Sequence, residues 1–453
     1  MLCATALLSS CHIYKPYNRP DGVEASGLYR DTISVTDTLK TDTVTIANLP
    51  WREVFTDPNL QALIERGLNH NTNLQTAILQ IKEAEAMLMS ARLAFAPSLA
   101  LSPQGTISSF DGGRATKTYQ LPVVASWELD LFGNLLNAKR GAKASLMQSE
   151  AYKQAVQTQV IASIANSYYT LLMLDRQLII TEETAQKWKQ NVETMKAMKA
   201  AAMTNEAAVV QSEATYYQVL ATLPDLRRNI REVENALSLL LAQAPQQIQR
   251  GKLEDQYLPT TLSTGIPLQL LANRPDVKAA EMALAGTYYN ANQARAAFYP
   301  SITISGSAGW TNSGGSIITN PGKFLASVVG SLTQPLFYRG ANIARLKVAK
   351  AQQQEAQLNF QQTILDAGGE VSDALYQYQS CLDKEVARRQ QINSLEKSVE
   401  YTEDLFKLGN STYLEILSAE QSLLSARLSE VSDKFDRMQA VVNLYHALGG
   451  GRE

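Results

Sequence analysis

The feature that most restricts the fold is that the chain is written twice. The stretch Ser90–Ser102 (SARLAFAPSLALS) returns as Gln293–Ser305 (QARAAFYPSITIS), with Ala, Arg, Ala, Phe, Pro, Ser and the last Ser in common. The offset is 203 residues (293 minus 90), nearly half of a 453-residue chain. Leu131–Ser145 matches Leu336–Ala351, and Glu234–Pro245 matches Ala440–Gly451. Solenoid repeats run over about 20–50 residues, so a period this long means a duplicated domain with pseudo-symmetry inside one subunit.

Each half repeats one order of elements. A shorter helix comes first, over Asn73–Phe95 and again over Asp276–Phe298. Pro97 and Pro300 stop these helices, because proline donates no hydrogen bond and restricts the residue before it. Two strands with period-two patterning follow. In Tyr119–Leu131 the odd positions are Tyr119, Leu121, Val123, Ala125, Trp127, Leu129 and Leu131, while Gln120, Ser126, Glu128 and Asp130 alternate with them. Ser301–Trp310 alternates Ser301, Thr303, Ser305 and Ser307 with Ile302, Ile304, Ala308 and Trp310. Such segments have one apolar and one polar face. Ser98–Ile107 and Phe324–Phe337 are weaker examples. Gly-rich loops at Asp111–Gly113 and Asn312–Gly322 read as hairpin connections.

A very long helix comes next. Asn134–Met203 and Ala341–Leu408 contain no proline. At 1.5 Å per residue each reaches on the order of 100 Å, so the helices must lie side by side in a long bundle. Gly368-Gly369 should interrupt the second. Glu206–Leu241 and Thr412–Leu448 carry the chain back, and Pro224 should kink or divide the first of them.

Composition narrows the function. With 41 Lys+Arg against 43 Asp+Glu, the formal charge of −2 offers nucleic acid no basic footprint. An apolar fraction of 45% and a charged fraction of 19% suit a folded chain. His12, His70, His446, Cys3, Cys11 and Cys381 are too scattered for a zinc, haem or iron–sulfur site, so neither metal nor cofactor is expected. Cys381 falls in a helical pattern and reads as packing. No convergent set of His, Cys, Ser and carboxylates lies beside a Gly-rich turn, which sets an enzyme aside. No run of about 18 apolar residues occurs, so a transmembrane helix is excluded, but a membrane β-barrel is not.

Residues 1–11 (MLCATALLSSC) have a short apolar core, Leu2–Leu8, and small residues before Cys11. The pattern is that of a bacterial lipoprotein signal, with Cys11 as the lipidated mature N-terminus. An export signal opens with Lys or Arg and this one does not, which puts the true start upstream. A single acyl chain anchors weakly, so further chains or the protein's own embedding must hold it.

Four strands per chain cannot close a barrel, and lipid does not tolerate open sheet edges. Eight strands enclose a side-chain-filled interior, so a conducting pore needs at least three chains and twelve strands. Small residues such as Ala138, Ala142, Ala144, Ala162, Ala165, Ala344, Ala349 and Ala351 allow close helix packing. The Gln- and Asn-rich remainder suits water on more than one side. The expected fold is an α+β membrane channel: four transmembrane strands per chain continued by a tube of helical hairpins. A structural coiled-coil spacer is set aside because the paired strands sit at the same point of each repeat.

Several motifs resemble the outer-membrane factor (TolC-like) family, in its lipoprotein efflux branch. They are Arg274-Pro275-Asp276-Val277, Ala280-Glu281, Ala294-Arg295 and Phe298-Tyr299-Pro300-Ser301. Trp127–Gly133 (WELDLFG) resembles that family's second strand and the start of its long helix, Cys11–Pro20 its lipidated tether, and Lys407–Glu415 its second hairpin tip. The resemblance implies a homotrimer with a twelve-stranded outer-membrane barrel and a periplasmic α-barrel. It implies outer-membrane lipid around the strands, and as partners a periplasmic adaptor and an inner-membrane transporter of the RND type. The implied function is the passive exit duct of a tripartite pump for drugs or small molecules. Type I protein secretion is the alternative.

The resemblance also assigns residues. The family narrows its pore with acidic side chains near the tips, and Glu415 matches one such position. Ser418 stands where relatives often carry a second acid. In the first tip (Met203–Val209) the acidic position falls on Val209, and Glu206 is the candidate substitute. Gly409, Asn410 and Ser411, with Thr204 and Asn205, are candidate adaptor contacts. Gly409 and Asn410 read as a turn requiring positive φ. Arg274–Asp276 reads as a helix start, Pro275 in the first turn and Asp276 favourable to the helix dipole. Trp127 and Trp310, near strand ends, read either as membrane-interface residues or as packed aromatics. The expected division is a signal peptide 1–10, a tether 11–50, a first repeat 51–245 with strands about 98–110 and 117–132, a linker 246–265, and a second repeat 266–453 with strands about 300–310 and 324–337.

Overall fold

The computed structural model describes residues 14–20, 46–109, 111–113, 115–257, 274–311 and 323–452. Cys3, Cys11, the signal segment and the loop Asn312–Gly322 lie outside the described residues. The elements run α1 (Trp51–Val54), α2 (Pro58–His70), α3 (Thr72–Leu93), β1 (Ser98–Leu101), β2 (Gln104–Ser108), β3 (Thr116–Leu129), α4 (Asn134–Ala200) and α5 (Glu206–Leu240). The second half gives α6 (Pro275–Ala296), β4 (Ser301–Thr311), β5 (Lys323–Thr333), α7 (Ala341–Lys407) and α8 (Tyr413–Ala447). The long helices α4 and α7 have 67 residues each, and the returning helices α5 and α8 have 35 each.

All the described strands join one antiparallel sheet, in which β3 pairs with β1 and β2 on one side and β4 on the other, and β4 pairs with β5. β1 and β2 are two parts of one strand, since Ser98↔Ser126 and Gln104↔Gln120 keep a single register against β3. The strand expected over 98–110 is therefore broken at Ser102-Pro103. Pro103 has no N–H to donate, while the Ser102 N–H still reaches the Pro122 carbonyl at 3.0 Å. Opposite Pro122 on the other side lies Gly309. A Cβ there would stand 2.2 Å from the Leu121 carbonyl oxygen, so β3 and β4 approach as closely as they do only because the residue is glycine. β5 ends at Thr333 and not at 337, because Pro335 cannot continue the ladder.

The helices depart from expectation at two points. α7 runs unbroken through Gly368-Gly369, and α5 is a single helix with Pro224 inside it. In a long packed helix, neighbouring contacts outweigh a local penalty of roughly 1 kcal/mol for glycine and about 3 for proline. Val219 and Leu223 are buried beside Pro224, and Arg227 of α5 holds Glu182 of α4 at 2.8 Å.

By compactness the chain forms two units that do not follow the repeats. One holds Leu79–Ala151 and Val277–Thr363 with residues 14–20, so it contains the sheet. The other holds the described parts of Tyr152–Asp276 and Ile364–Glu453 with residues 46–78. In the first unit residues 14–20 lie along α6. Arg19 grips Glu281 with two bonds, at 2.8 and 2.5 Å, and Tyr288 donates to the Lys15 carbonyl at 3.0 Å. In the second unit Tyr168, Tyr169, Leu171, Leu172, Ile161 and Ile164 are buried along α4. Arg274 is also buried there. It donates to the Ala447 carbonyl at the end of α8 (2.8 Å) and pairs with Asp276 (2.6 Å) and Glu370 (2.7 Å).

Candidate channel wall and helix tips

The register makes the alternation of single strands continuous across the sheet. The rows Leu101–Val123–Ala308–Ala326, Leu99–Ala125–Gly306–Val328 and Trp127–Ile304–Gly330 lie on one face. The rows Ser126–Ser305, Glu128–Thr303–Ser331 and Gln104–Gln120–Thr311 lie on the other. One face is apolar and the other is largely hydroxyl and amide, as lipid on one side and water on the other require. At one end of the apolar face Trp310 meets Phe324 edge to face at 5.8 Å. At the other, the Trp127 indole donates to the Phe95 carbonyl at 2.9 Å. An indole with one polar tether and an apolar ring fits a membrane interface. No described helix is long and apolar enough to cross a membrane.

The two helix tips have the same backbone and different chemistry. Both long helices end in a Schellman motif. Asn410 N–H reaches the Leu405 carbonyl and Gly409 N–H the Phe406 carbonyl, while Met203 and Ala202 repeat this with Met198 and Lys199. Positive φ is needed at one residue only: Gly409 (73°) in the second tip and Ala202 (60°) in the first. Asn410 does not adopt it, contrary to expectation. Asn205 caps α5 by accepting from the Ala208 N–H at 3.0 Å. Val209 is buried with Met195, Tyr413, Ile416 and Leu417, so the position expected to be acidic is a core position that joins the two tips.

Each predicted tip residue has a definite setting. Glu206 forms an ion pair with Lys199, which neutralises it locally. Glu415 is exposed and accepts from the Ser411 hydroxyl, a bond that holds its carboxyl below the usual range. Ser418, Gly409, Asn410 and Asn205 are exposed, and Thr204 and Ser411 are partly so. Glu415 and Glu206 are thus not equivalent: one carboxylate has no ion-pair partner among the described residues, and the other is half of a salt bridge.

Residues 63–243 and 266–450 match the family described as outer membrane efflux protein. The chain belongs to this family. The two matched blocks fall on the two repeats. The chain is 28% identical to the cation efflux system protein CusC of Escherichia coli (strain K12), over 99% of this chain and 98% of the relative. It is 26% identical to the toluene efflux pump outer membrane protein TtgC of Pseudomonas putida, over 99% and 95%. Crystal structures of CusC superpose with a TM-score of 0.87 at 28% identity, covering 97% of this chain and 99% of that one. The open state of the Neisseria gonorrhoeae MtrE outer membrane channel gives 0.86 at 28%, covering 98% and 99%. The protein is an outer-membrane channel of the efflux class.

Within this outer membrane efflux protein, the seam between the two hairpins is polar in a way the sequence did not signal. From α4 to α8, Asn166 bonds Asn443 (3.2 Å), Gln177 bonds Ser432 (3.2 Å), and Gln157 reaches the Gly451 carbonyl beyond α8 (3.0 Å). Near the tip Glu420 is buried, with Lys187 Nζ at 2.8 Å and Asn191 Nδ2 at 3.3 Å. Lys187 also stands 3.7 Å from Glu403 of α7. Burial, reinforced by the charge of Glu420, pushes the Tyr413 hydroxyl up to about 12. Neither Glu420 nor Lys187 belongs to a motif. What identifies them is a pairing between residues more than two hundred positions apart.

Proposed function

We propose that three copies of the chain close a twelve-stranded barrel and act as the passive exit duct of a tripartite, RND-type pump for small molecules. The observation that carries this reading is the sheet itself. It is one register-consistent wall with an apolar and a polar face, and β1/β2 and β5 are at its two edges. Pairing each β5 with the β1/β2 of the next copy removes every edge, which a lipid environment requires. Cys11 is the lipidated N-terminus, and outer-membrane lipid surrounds the apolar face. Glu415 forms a ring of carboxylates about the threefold axis, where a narrow throat favours cations. Ser418 stands where a second ring would be, and Glu206 contributes little, being tied to Lys199. Gly409, Asn410 and Ser411, with Thr204 and Asn205, meet the adaptor. The relatives are named for cations and for toluene, so the cargo class follows from the inner-membrane partner and not from this fold.

The test is photo-crosslinking in cells from position 410, with the captured protein identified by mass spectrometry. Capture of an adaptor belonging to a proton-driven exporter supports efflux. Capture of an adaptor of an ATP-driven exporter moves the function to protein secretion.

A further inference from the structure

The polar face of the sheet is almost free of charge. Among the described strand residues only Lys117, Glu128 and Lys323 are charged. Lys117 pairs with Ile107 and so falls on the apolar face. Glu128 and Lys323 fall on the polar face, in different rows. Glu128 lies in the row of Thr303 and Ser331, next to the start of α4. Lys323 lies in the row of Thr311, Gln120 and Gln104, at the end of the sheet away from the helices. The rows are eight residues apart along β3, about 27 Å of strand. Between them the face presents Ser126, Ser305, Ser307, Ser327, Val124 and Pro122, all neutral.

We propose that the barrel lumen carries two opposed charge rings, anionic Glu128 at its helix-side base and cationic Lys323 at its outer mouth, which give cations and anions opposite sequences of attraction and barrier. The inference rests on the trimeric reading and specifies what its lumen selects. A cation leaving the helical tube is concentrated at the Glu128 ring and meets a barrier at Lys323. An anion meets the reverse. A neutral molecule meets hydroxyls and a few small apolar side chains, none of them charged. The neutral lining between the rings leaves no intermediate charge to bind a permeant, so each sign is drawn at one ring and opposed at the other. The two rings are separated by more than a Debye length at physiological salt, so each acts on its own surroundings.

The test reads local potential and not current, so that a narrow helix tip cannot mask it. Ser126→Cys lies two residues from Glu128 on the same face, and Thr311→Cys lies directly opposite Lys323. Each variant is treated from outside, in proteoliposomes, with membrane-impermeant methanethiosulfonates bearing a trimethylammonium or a sulfonate. At 0.1 M salt a charge 5–7 Å away changes the ratio of the two labelling rates roughly four-fold, and at 1 M the ratio is close to one. Ser126→Cys should favour the cationic reagent, and adding Glu128→Gln should abolish the preference. Thr311→Cys should favour the anionic reagent, and adding Lys323→Gln should abolish that. Ratios unmoved by Glu128→Gln and Lys323→Gln overturn the charge rings while leaving the channel intact. A different failure would reach the channel itself: labelling of Val123→Cys on the apolar face with none at Ser126→Cys reverses the wall.

Discussion

The buried pair at the tip makes an asymmetric prediction. Glu420 has a side chain only 4% exposed, while Lys187 is 52% exposed. Lys187→Ala therefore strands a buried carboxylate with one remaining donor, the Asn191 amide. An unsatisfied buried polar group costs about 1–3 kcal/mol, and a fully buried charge more. Water reaches the site through the half-exposed lysine, which holds the cost to roughly 1–2 kcal/mol. Glu420→Gln leaves an ammonium that water can solvate and that still has Glu403 at 3.7 Å, and should cost less than about 1 kcal/mol. Replacing both by methionine removes charge from both sides and should be close to neutral. Hydrogen exchange on peptides spanning 183–195 and 413–424 reads this locally, since these segments lie on either side of the seam. Opening free energy lost as above speeds exchange roughly 5- to 30-fold for Lys187→Ala and no more than about 5-fold for Glu420→Gln. Equal effects, or a larger one for Glu420→Gln, refute burial as the source of the coupling.

Three further variants test other parts of the fold. Ala202 holds a left-handed conformation that costs an L-residue about 1–2 kcal/mol, partly offset in glycine by backbone entropy, so Ala202→Gly should slow exchange of the Met203 amide by roughly two- to five-fold. Glu415→Ala should lower cation selectivity and change conductance in planar bilayers, and identical currents would remove Glu415 from the pore. Burial, and then Arg274, press the His446 pKa below its ordinary 6.5. Its contribution to stability is thus complete above pH 6.5 and is lost as pH falls toward the depressed folded value. The unfolding temperature should fall below pH 6.5 in the parent and fall less in His446→Gln.

Much of the fold was legible because it rests on periodicities. The repeat, the strand alternation and the proline-free helices each depend on many residues, so one deviation does not disturb the pattern. What was misread depended on single residues in context. Gly368-Gly369 and Pro224 are helix breakers by propensity, but each sits within a packed helix whose neighbours outweigh a few kcal/mol. Pro103 broke a strand that alternation alone would have kept whole, because a missing donor is a local fact that a face pattern cannot register. At the tips Glu415 and Gly409 could be found from local sequence. The pairing of Glu206 with Lys199 across the turn, and of Glu420 with Lys187 between the hairpins, depends on folded geometry.

The duplication also explains why the two tips diverged. Both repeats need one left-handed residue after the long helix and one after the returning helix. The second repeat places Gly409 and Gly449 there, and the first places Ala202 and Ala242. The first hairpin thus carries backbone strain at two points where the second carries none. The same hairpin supplies Val209 to the apolar cluster and ties its carboxylate, Glu206, to Lys199. The second tip leaves Glu415 exposed and oriented by Ser411. A strained turn persists only where surrounding contacts hold it, and the first tip has those contacts. The relaxed tip leaves its carboxylate exposed, oriented by Ser411 and without an ion-pair partner among the described residues. Divergence after duplication has separated a tip whose carboxylate is tied to a lysine from a tip whose carboxylate stands exposed, on a backbone common to both.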